Sequence, residues 1–294
     1  MSYLFDTSAA RSVGRAQLEN ARTEGFELLL SPITFSELAC HLGDEPFVRP
    51  RGNALKGRLF TVLHDPLGEL AADVGCPQAA NRTRFDDQEA VLAILGELEQ
   101  ADSYVDLASR CVAVRGETRT IGDIASNTEA LFDADRVQFV EAQRFRCAAF
   151  IERYGRAGTA ELTGEQFARE AAGLARGLTE DMTALGCNVQ FSTIASRTLL
   201  GAGYCVARAC RYVAGGAAVE DIVFEGNDLE DYYIRLHLGV SSGRTLVTND
   251  EGMSEAVNRA VAAFKEYWAV SGASFVTNAQ VMTSAQFLAA VEAA

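Results

Sequence analysis

The sequence predicts an α/β protein: a three-layer fold in which a doubly wound parallel sheet is interrupted by a large helical segment. Short apolar runs, each followed by turn residues and a helical pattern, open and close the chain, which is the rhythm of βαβ units. Between them, apolar residues recur at helical spacing. We therefore assign residues 1–65 and 215–294 to the α/β core and residues 66–214 to an all-helical insertion.

The first 60 residues contain two strand-like runs. Tyr3–Phe5 ends at an aspartate, and Glu27–Leu30 ends at a serine and a proline. Thr34 and Glu37 have the spacing of a capping box, so we expect the helix after the second strand to begin there. Residues 44–58, with glycine, prolines and several arginines, indicate an exposed loop.

The middle of the chain predicts helices and no strand. Gly155 and Gly186 follow two of these helices and are placed to stop them. Gly201 and Gly203 lie inside an apolar helical stretch, which favours helix packing over a phosphate-binding loop. The predicted helices cover 87–114, 134–154, 164–185 and 191–213.

The βα rhythm returns near the carboxyl terminus. Asn227 and Glu230 have capping-box spacing and predict a helix over about 228–239. The run Arg244–Thr248 predicts a strand, and residues 274–277 predict the last one.

The formal net charge of −14 argues at first against a nucleic-acid partner. The charge is unevenly distributed, however, because residues 1–60 carry seven basic and seven acidic side chains. All 26 basic residues except Lys56 and Lys265 are arginine, which suits bidentate contacts to phosphate. The acidity therefore weakens a nucleic-acid interpretation without removing it.

The sequence gives no sign of a membrane or zinc protein. No apolar run approaches the roughly 20 residues that span a bilayer, and the first residues lack the pattern of a signal peptide. The seven cysteines and three histidines show no zinc-ligand spacing. We expect a cytoplasmic protein with no membrane partner.

Acidic residues stand where a parallel sheet places its ligands. Asp6 and Asp250 each follow a predicted strand, Glu37 begins the helix after the second strand, and Asp228 and Asp231 share one face of a helix start. Carboxylates gathered at one sheet edge repel one another unless a cation lies among them. Donor sets made only of oxygen suit Mg²⁺ or Mn²⁺.

Each acid also has a simpler structural explanation. Asp6 and Asp250 suit helix N-caps, Glu37 suits the second half of a capping box, and Asp228 and Asp231 favour the dipole at a helix start. Capping does not require an acid at the end of nearly every strand, so the set is more informative than its members.

These segments resemble the PIN-domain nucleases. Phe5–Ser8 is similar to the opening strand and first aspartate of that family, and Ser31–Leu38 to its second strand end and glutamate-bearing helix. Asn227–Ile234 and Leu246–Asp250 are similar to the segments that carry its third and fourth acids. The resemblance covers about 60 residues at the start and 80 at the end. Compact PIN domains, including VapC-type toxins, have roughly half the length of the whole chain.

The resemblance implies a catalytic metal site with four acids. It assigns the metal to Asp6, Glu37, Asp231 and Asp250, with Asp228 as an additional ligand that shares the third position. Neighbouring polar groups would support these ligands: Thr7, Ser8, Thr248 and Asn249.

The implied reaction is metal-dependent phosphodiester hydrolysis, with RNA as the expected substrate and with 5′-phosphate and 3′-hydroxyl products. The resemblance further implies two partners to test, an antitoxin-like protein and a second copy of the chain. The arginines of the least acidic region are the expected phosphate contacts: Arg11, Arg15, Arg49, Arg51 and Arg58.

Other classes fit less well or stay open. A haloacid-dehalogenase-type phosphatase would need a second aspartate two residues after Asp6, and that position is Ser8. A serine hydrolase is disfavoured because no G-x-S-x-G motif occurs. The remaining alternative is a PIN-like protein that binds RNA or a protein through its helical block, with weak or no catalysis.

Overall fold

The computed structural model describes residues 2–44, 46–73, 88–184, 186–224, 227–240, 243–270 and 280–294. The chain divides into two compact units, and each is built from separate stretches of sequence. The sheet unit comprises Met1–Phe132, Arg244–Asp250 and Gln280–Ala294, and the helical unit comprises Asp133–Gly243 and Glu251–Ala279.

The sheet unit contains five parallel strands in the order β3-β2-β1-β6-β7. This confirms the predicted α/β class and parallel sheet. The predicted strand over 274–277 lies outside the described residues. The strands are β1 (Ser2–Phe5), β2 (Glu27–Leu30), β3 (Thr61–Val62), β6 (Arg244–Val247) and β7 (Gln280–Met282).

The central strand β1 is apolar on both faces because parallel strands in this architecture are covered on both sides. It pairs with β2 from Ser2 opposite Glu27, and with β6 from Ser2 opposite Arg244. On one face, the ring of Phe5 lies edge-on to Phe60 and Phe287, with centroids 5.1 and 5.0 Å away. These aromatic contacts fix the register in which the strand ends meet.

Helices follow the strands of the sheet unit and cover it. The exposed loop predicted over 44–58 is instead largely helical, with Val48–Leu55 forming α4, and two further local predictions for this unit are wrong. The helix after β2 begins at Pro32 instead of Thr34, because Ser31 caps it and proline suits the first helical position. The helices are α1 (Thr7–Ser12), α2 (Arg15–Thr23), α3 (Pro32–Ala39), α4 (Val48–Leu55), α5 (Pro66–Asp73), α6 (Gln88–Leu98), α7 (Tyr104–Ser109) and α13 (Ser284–Glu292).

The second wrong prediction is an uninterrupted helix across 87–114. The antiparallel hairpin β4 (Cys111–Val114) and β5 (Glu117–Thr120) occupies the end of that segment and extends past it. Its turn places Arg115 and Gly116 at positive φ, and Val112 and Val114 point into the core of the sheet unit. Alternating burial in a short run is the strand signal that the helical periodicity concealed.

Long helices form the helical unit, as the apolar spacing predicts. Gly155 adopts a positive φ of 70° and interrupts the first of them, and Gly186, at φ 86°, follows the next. Both predicted stops are confirmed. The helices are α8 (Ile121–Ala160, which begins in the sheet unit), α9 (Gly164–Ala184), α10 (Phe191–Ala214), α11 (Asp228–Leu236) and α12 (Glu251–Val270).

The two units differ from the predicted division of the chain. Residues 66–132 belong to the sheet unit, although they were assigned to the insertion. Conversely, α11 and α12 belong to the helical unit because they pack on α10, whose residues Thr198–Cys210 are all buried. A helix that is buried on every side needs neighbours on every side.

Among the described residues, none of the helices combines the length and apolar character that crossing a lipid bilayer demands.

Close packing in the helical unit gives a first prediction. A Cβ atom added to Gly203 of α10 would lie 2.7 Å from the Cβ of Ala260 in α12, so the helices would have to separate. We expect Gly203→Ala to lower the free energy of unfolding by about 1–3 kcal/mol, measured by urea denaturation. Gly173→Ala in α9, where the added atom meets nothing within 4 Å, is the control and should stabilise the chain by about 0.5–1 kcal/mol.

Candidate functional site

The carboxyl ends of β1 and β6 form the candidate site. From this pair the sheet grows through β2 and β3 on one side and through β7 on the other. The strand order therefore reverses between β1 and β6, and open parallel sheets bind ligands at that crevice. Asp6 follows β1 directly, and Asp250 comes three residues after the end of β6.

Asp6 is the most deeply buried acid at this edge, with 4% of its surface exposed. Its Oδ1 accepts a hydrogen bond from the backbone N–H of Ala9 at 2.8 Å, which makes Asp6 the N-cap of α1. The hydroxyl of Ser8 lies 2.9 Å from both carboxylate oxygens. The simpler role expected for Asp6, helix capping, is thus confirmed, and both of its oxygens have protein donors.

Thr248 joins the ends of the two central strands. Its hydroxyl donates to Oδ2 of Asp6 at 2.5 Å and accepts from the backbone N–H of Asp250 at 2.9 Å. Its backbone N–H donates to the carbonyl of Met282 at the end of β7. One buried hydroxyl therefore orients Asp6 and shapes the turn that carries Asp250.

Asn249 ties the same turn to two helices. Its backbone N–H donates to the hydroxyl of Ser8, and its side-chain amide donates to the hydroxyl of Ser12 at 2.9 Å. Its Oδ1 accepts from both the backbone and the hydroxyl of Ser284 at the start of α13. The polar groups Ser8, Thr248 and Asn249, expected to support the site, thus form one connected network.

Glu37 reaches this edge from α3. Its carboxylate accepts a hydrogen bond from the hydroxyl of Thr7, the residue after Asp6. The predicted capping box is wrong, because the hydroxyl of Thr34 donates to the carbonyl of Phe5 at 3.2 Å instead of capping a helix. Since α3 begins at Pro32, Glu37 lies in its second turn and its long side chain spans the distance.

The pKa of Asp6 depends on the groups that surround its carboxylate. Burial raises the pKa of Asp6 above its ordinary value, and hydrogen bonds from Thr248, Ala9 and Ser8 oppose that rise. The negative charge of Asp250 raises the pKa further. The two acids at adjacent strand ends are therefore coupled, and a cation beside them would favour the ionised form of both.

Asp228 and Asp231 belong to the helical unit and have local partners. Asp228 forms a buried ion pair with Arg208 at 2.7 Å and accepts hydrogen bonds from Tyr204 and Tyr212. Asp231 accepts from the hydroxyl of Tyr204 at 3.3 Å. These contacts neutralise Asp228 within its own unit and weaken it as a metal ligand.

Two of the five arginines expected to contact phosphate bind backbone carbonyl oxygens at the end of a helix. Arg51 donates to the carbonyl oxygens of Leu98 and Glu99, and Arg58 donates to that of Leu95, so both stabilise the carboxyl end of α6. Arg58 also pairs with the Glu99 carboxylate.

The other three expected arginines are exposed. Arg15 pairs with Glu19 on the surface of α2. Arg11 donates to the carbonyl of Glu37 at 3.1 Å and is therefore anchored beside the candidate site. Arg49 lies in α4.

Two charged residues near the sheet were not singled out from the sequence. Asp65 follows β3 and caps α5, with Oδ1 accepting from Gly68 at 2.8 Å. Proline favours the first position of a helix, so Pro66 is the sequence signal that could have identified Asp65 as a cap. Lys56 donates to the carbonyl oxygens of Ala10 and Arg11 at the end of α1, a contact that its position in a predicted loop did not indicate.

The donor chemistry at the β1–β6 edge suits a hard cation only in part. Among the described residues, no three acidic, histidine or cysteine side chains are grouped so as to hold a metal ion. Mg²⁺ in proteins is commonly held by one or two carboxylates, with water and substrate phosphate completing its shell. Asp6 and Asp250, with Glu37 hydrogen-bonded nearby, fit that smaller set.

The raised pKa of Asp6 gives a prediction for the metal-free chain. Consider the pH range between the ordinary pKa of an aspartate, about 3.9, and the raised pKa of Asp6 in the folded chain. In that range the folded chain binds more protons at Asp6 than the unfolded chain does. The contribution of Asp6 to stability is therefore fully present below that window and is lost as pH rises through it. We expect the free energy of unfolding, measured in urea with EDTA, to fall relative to Asp6→Asn over this range. A difference that stays constant with pH would contradict the assignment.

The chain matches no protein-family model, no curated protein and no solved structure.

Proposed function

We propose that the chain hydrolyses phosphodiester bonds, with RNA as substrate, and that it holds Mg²⁺ or Mn²⁺ at the carboxyl ends of β1 and β6. The observation that carries the proposal is that Thr248 joins Asp6 and the backbone of Asp250 at the point where the strand order reverses. Repulsion between paired carboxylates is relieved by a bound cation, which gives this arrangement a chemical purpose beyond helix capping.

Each residue of the edge has a defined part in the proposal. Asp6 and Asp250 would hold the ion, and Glu37 would bind it directly or through water. Thr248 and Ser8 keep the Asp6 carboxylate in one orientation through their hydroxyl groups. When bound, such an ion lowers the pKa of a coordinated water and neutralises charge on the leaving oxygen.

The substrate class rests on charge and on resemblance. Arg11 is exposed and held beside Glu37, so it is the best placed of the expected arginines to contact a phosphate group. The similarity of Phe5–Ser8 and Leu246–Asp250 to the PIN-domain nucleases favours RNA as the substrate and a 5′-phosphate product. Asp231 enters only through that resemblance, and Asp228, already ion-paired, has no role in the proposal.

The test is a cleavage assay on the purified full chain with labelled single-stranded RNA and Mn²⁺. We expect Asp6→Asn and Asp250→Asn to reduce cleavage by more than about a hundredfold, since supporting residues of metal sites alone cost 10–100-fold. Mn²⁺ should also raise the melting temperature of the wild type but not of Asp6→Asn.

Asp65→Asn is the matched control, because Asp65 also caps a helix after a parallel strand, but the strand it follows is the edge strand β3. Cleavage that survives Asp6→Asn, or that is lost equally in Asp65→Asn, would refute the assignment. Asp231→Asn tests separately whether Asp231, the third acid implied by the resemblance to PIN-domain nucleases, takes part in the reaction.

A second candidate function is binding without cleavage, through the helical block. The observation in its favour is the set of exposed apolar side chains on α8, among them Val137 and Phe145, the latter 77% exposed. If the wild-type chain binds RNA in Mn²⁺ but does not cleave it, this candidate is favoured over the nuclease.

A further inference from the structure

A cluster of buried charges surrounds Tyr204 in the helical unit, and the proposed reaction does not use it. Its members come from α10 and α11, two helices of the same unit. We call it the Tyr204 cluster: Tyr204, Arg208, Asp228, Asp231 and Arg235.

Arg235 is the most unusual member, because its side chain is fully buried. Its guanidinium group stacks on the ring of Tyr204, with Cζ 3.6 Å from the ring centroid. Nη1 donates to the backbone carbonyl of Asp231. Nε and Nη2 are buried and find no hydrogen-bond partner within the part of the chain that the structure describes.

The geometry of those two nitrogens indicates what would satisfy them. Nε–H and Nη2–H project from the same edge of the planar guanidinium group, and that edge binds both oxygens of a carboxylate or a phosphate. An oxyanion presents two oxygens and so meets both donors at once. Buried donors without partners are rare in folded proteins and call for an explanation.

Arg146 of α8 carries another buried donor of the helical unit. Its Nη1 donates to Oε1 of Gln143 at 2.5 Å, but its buried Nε has no partner among the described residues. The positive charges of Arg146 and Arg235 both act on the thiol of Cys205, where they oppose the rise of its pKa caused by burial.

The acids of the cluster are held by other partners. Arg208 is paired with Asp228, and the hydroxyl of Tyr204 donates to both Asp228 and Asp231. Burial raises the pKa of Tyr204, which keeps that hydroxyl protonated and neutral. Neither carboxylate accepts a hydrogen bond from Nε or Nη2 of Arg235.

Glu230, on the same helix as Asp231, does not supply the missing acceptor. It is ion-paired with Arg136, which also pairs with Asp133. A buried guanidinium edge whose two donors lack an acceptor is costly unless a ligand supplies one.

We propose that the Nε–Nη2 edge of Arg235 binds an oxyanion, a carboxylate or a phosphate group, inside the helical unit. The residues that carry this inference are all separate from Asp6, Glu37 and Asp250, so it does not depend on the proposed nuclease activity. Because the edge is closed to solvent, binding requires local opening of the structure around it, which makes association slow compared with diffusion.

The experiment is calorimetric titration of the full wild-type chain in EDTA with inorganic phosphate and, separately, with acetate at constant ionic strength. We expect one of them to bind, and its identity assigns the class of ligand. Arg235→Lys keeps the charge but loses the two-donor edge, and it should bind at least about tenfold more weakly, the effect of losing one hydrogen bond to a charged group. Arg235→Met should not bind at all.

Arg153→Met is the matched control, because Arg153 belongs to α8 but makes an exposed ion pair with Glu170. It and Asp6→Asn should bind as the wild type does. Equal binding by wild type and Arg235→Lys, or no binding of either anion by the wild type, would overturn the inference.

If Arg235→Met does not fold, the Nε–H resonance of Arg235 in the ¹⁵N-labelled wild type gives the answer. It should shift on addition of the anion that binds, and an unchanged resonance would overturn the proposal. Anion binding that persists in a chain without RNA cleavage would reject the nuclease proposal alone.

Discussion

The hydrogen bond from Thr248 to Asp6 is the contact on which the carboxyl edge of the sheet depends. It joins residues 242 positions apart and holds the ends of β1 and β6 together just where the strand order reverses. The same carboxylate caps α1, and the same hydroxyl orients the turn that carries Asp250. Asp6 thus caps a helix, links two strands and contributes charge to the site. Its position in the sequence alone does not distinguish the structural role from the chemical one.

The sheet could be predicted from sequence because its signals are local. The apolar runs of β1, β2 and β6 end at polar turn residues, and parallel pairing then brings Asp6 and Asp250 to one edge. The predicted capping box of Thr34 and Glu37 failed for the opposite reason. The hydroxyl of Thr34 donates a hydrogen bond to the carbonyl of Phe5, 29 residues away. A rule based on local residue spacing does not predict a partner at that distance.

Ion pairs and hydrogen bonds between distant segments explain most of the remaining differences at the candidate site. Asp228 had the right residue type in the right place for a ligand, but Arg208, 20 residues earlier on a buried helix, neutralises it. Arg51 and Arg58 looked like phosphate contacts until α6 was seen to supply carbonyl oxygens for them. The type of a charged residue is read from sequence, whereas its partner is decided by packing between distant segments.

The interleaving of the two units has a consequence for synthesis in the cell. During translation β1 and β2 emerge early, but β6, the other neighbour of β1, follows some 240 residues after Asp6. At about 5–20 residues per second, the apolar edge of β1 waits on the order of ten to fifty seconds for its partner. An unpaired edge of that kind is a template for aggregation, so the nascent chain needs either early burial by its helices or a chaperone to protect it.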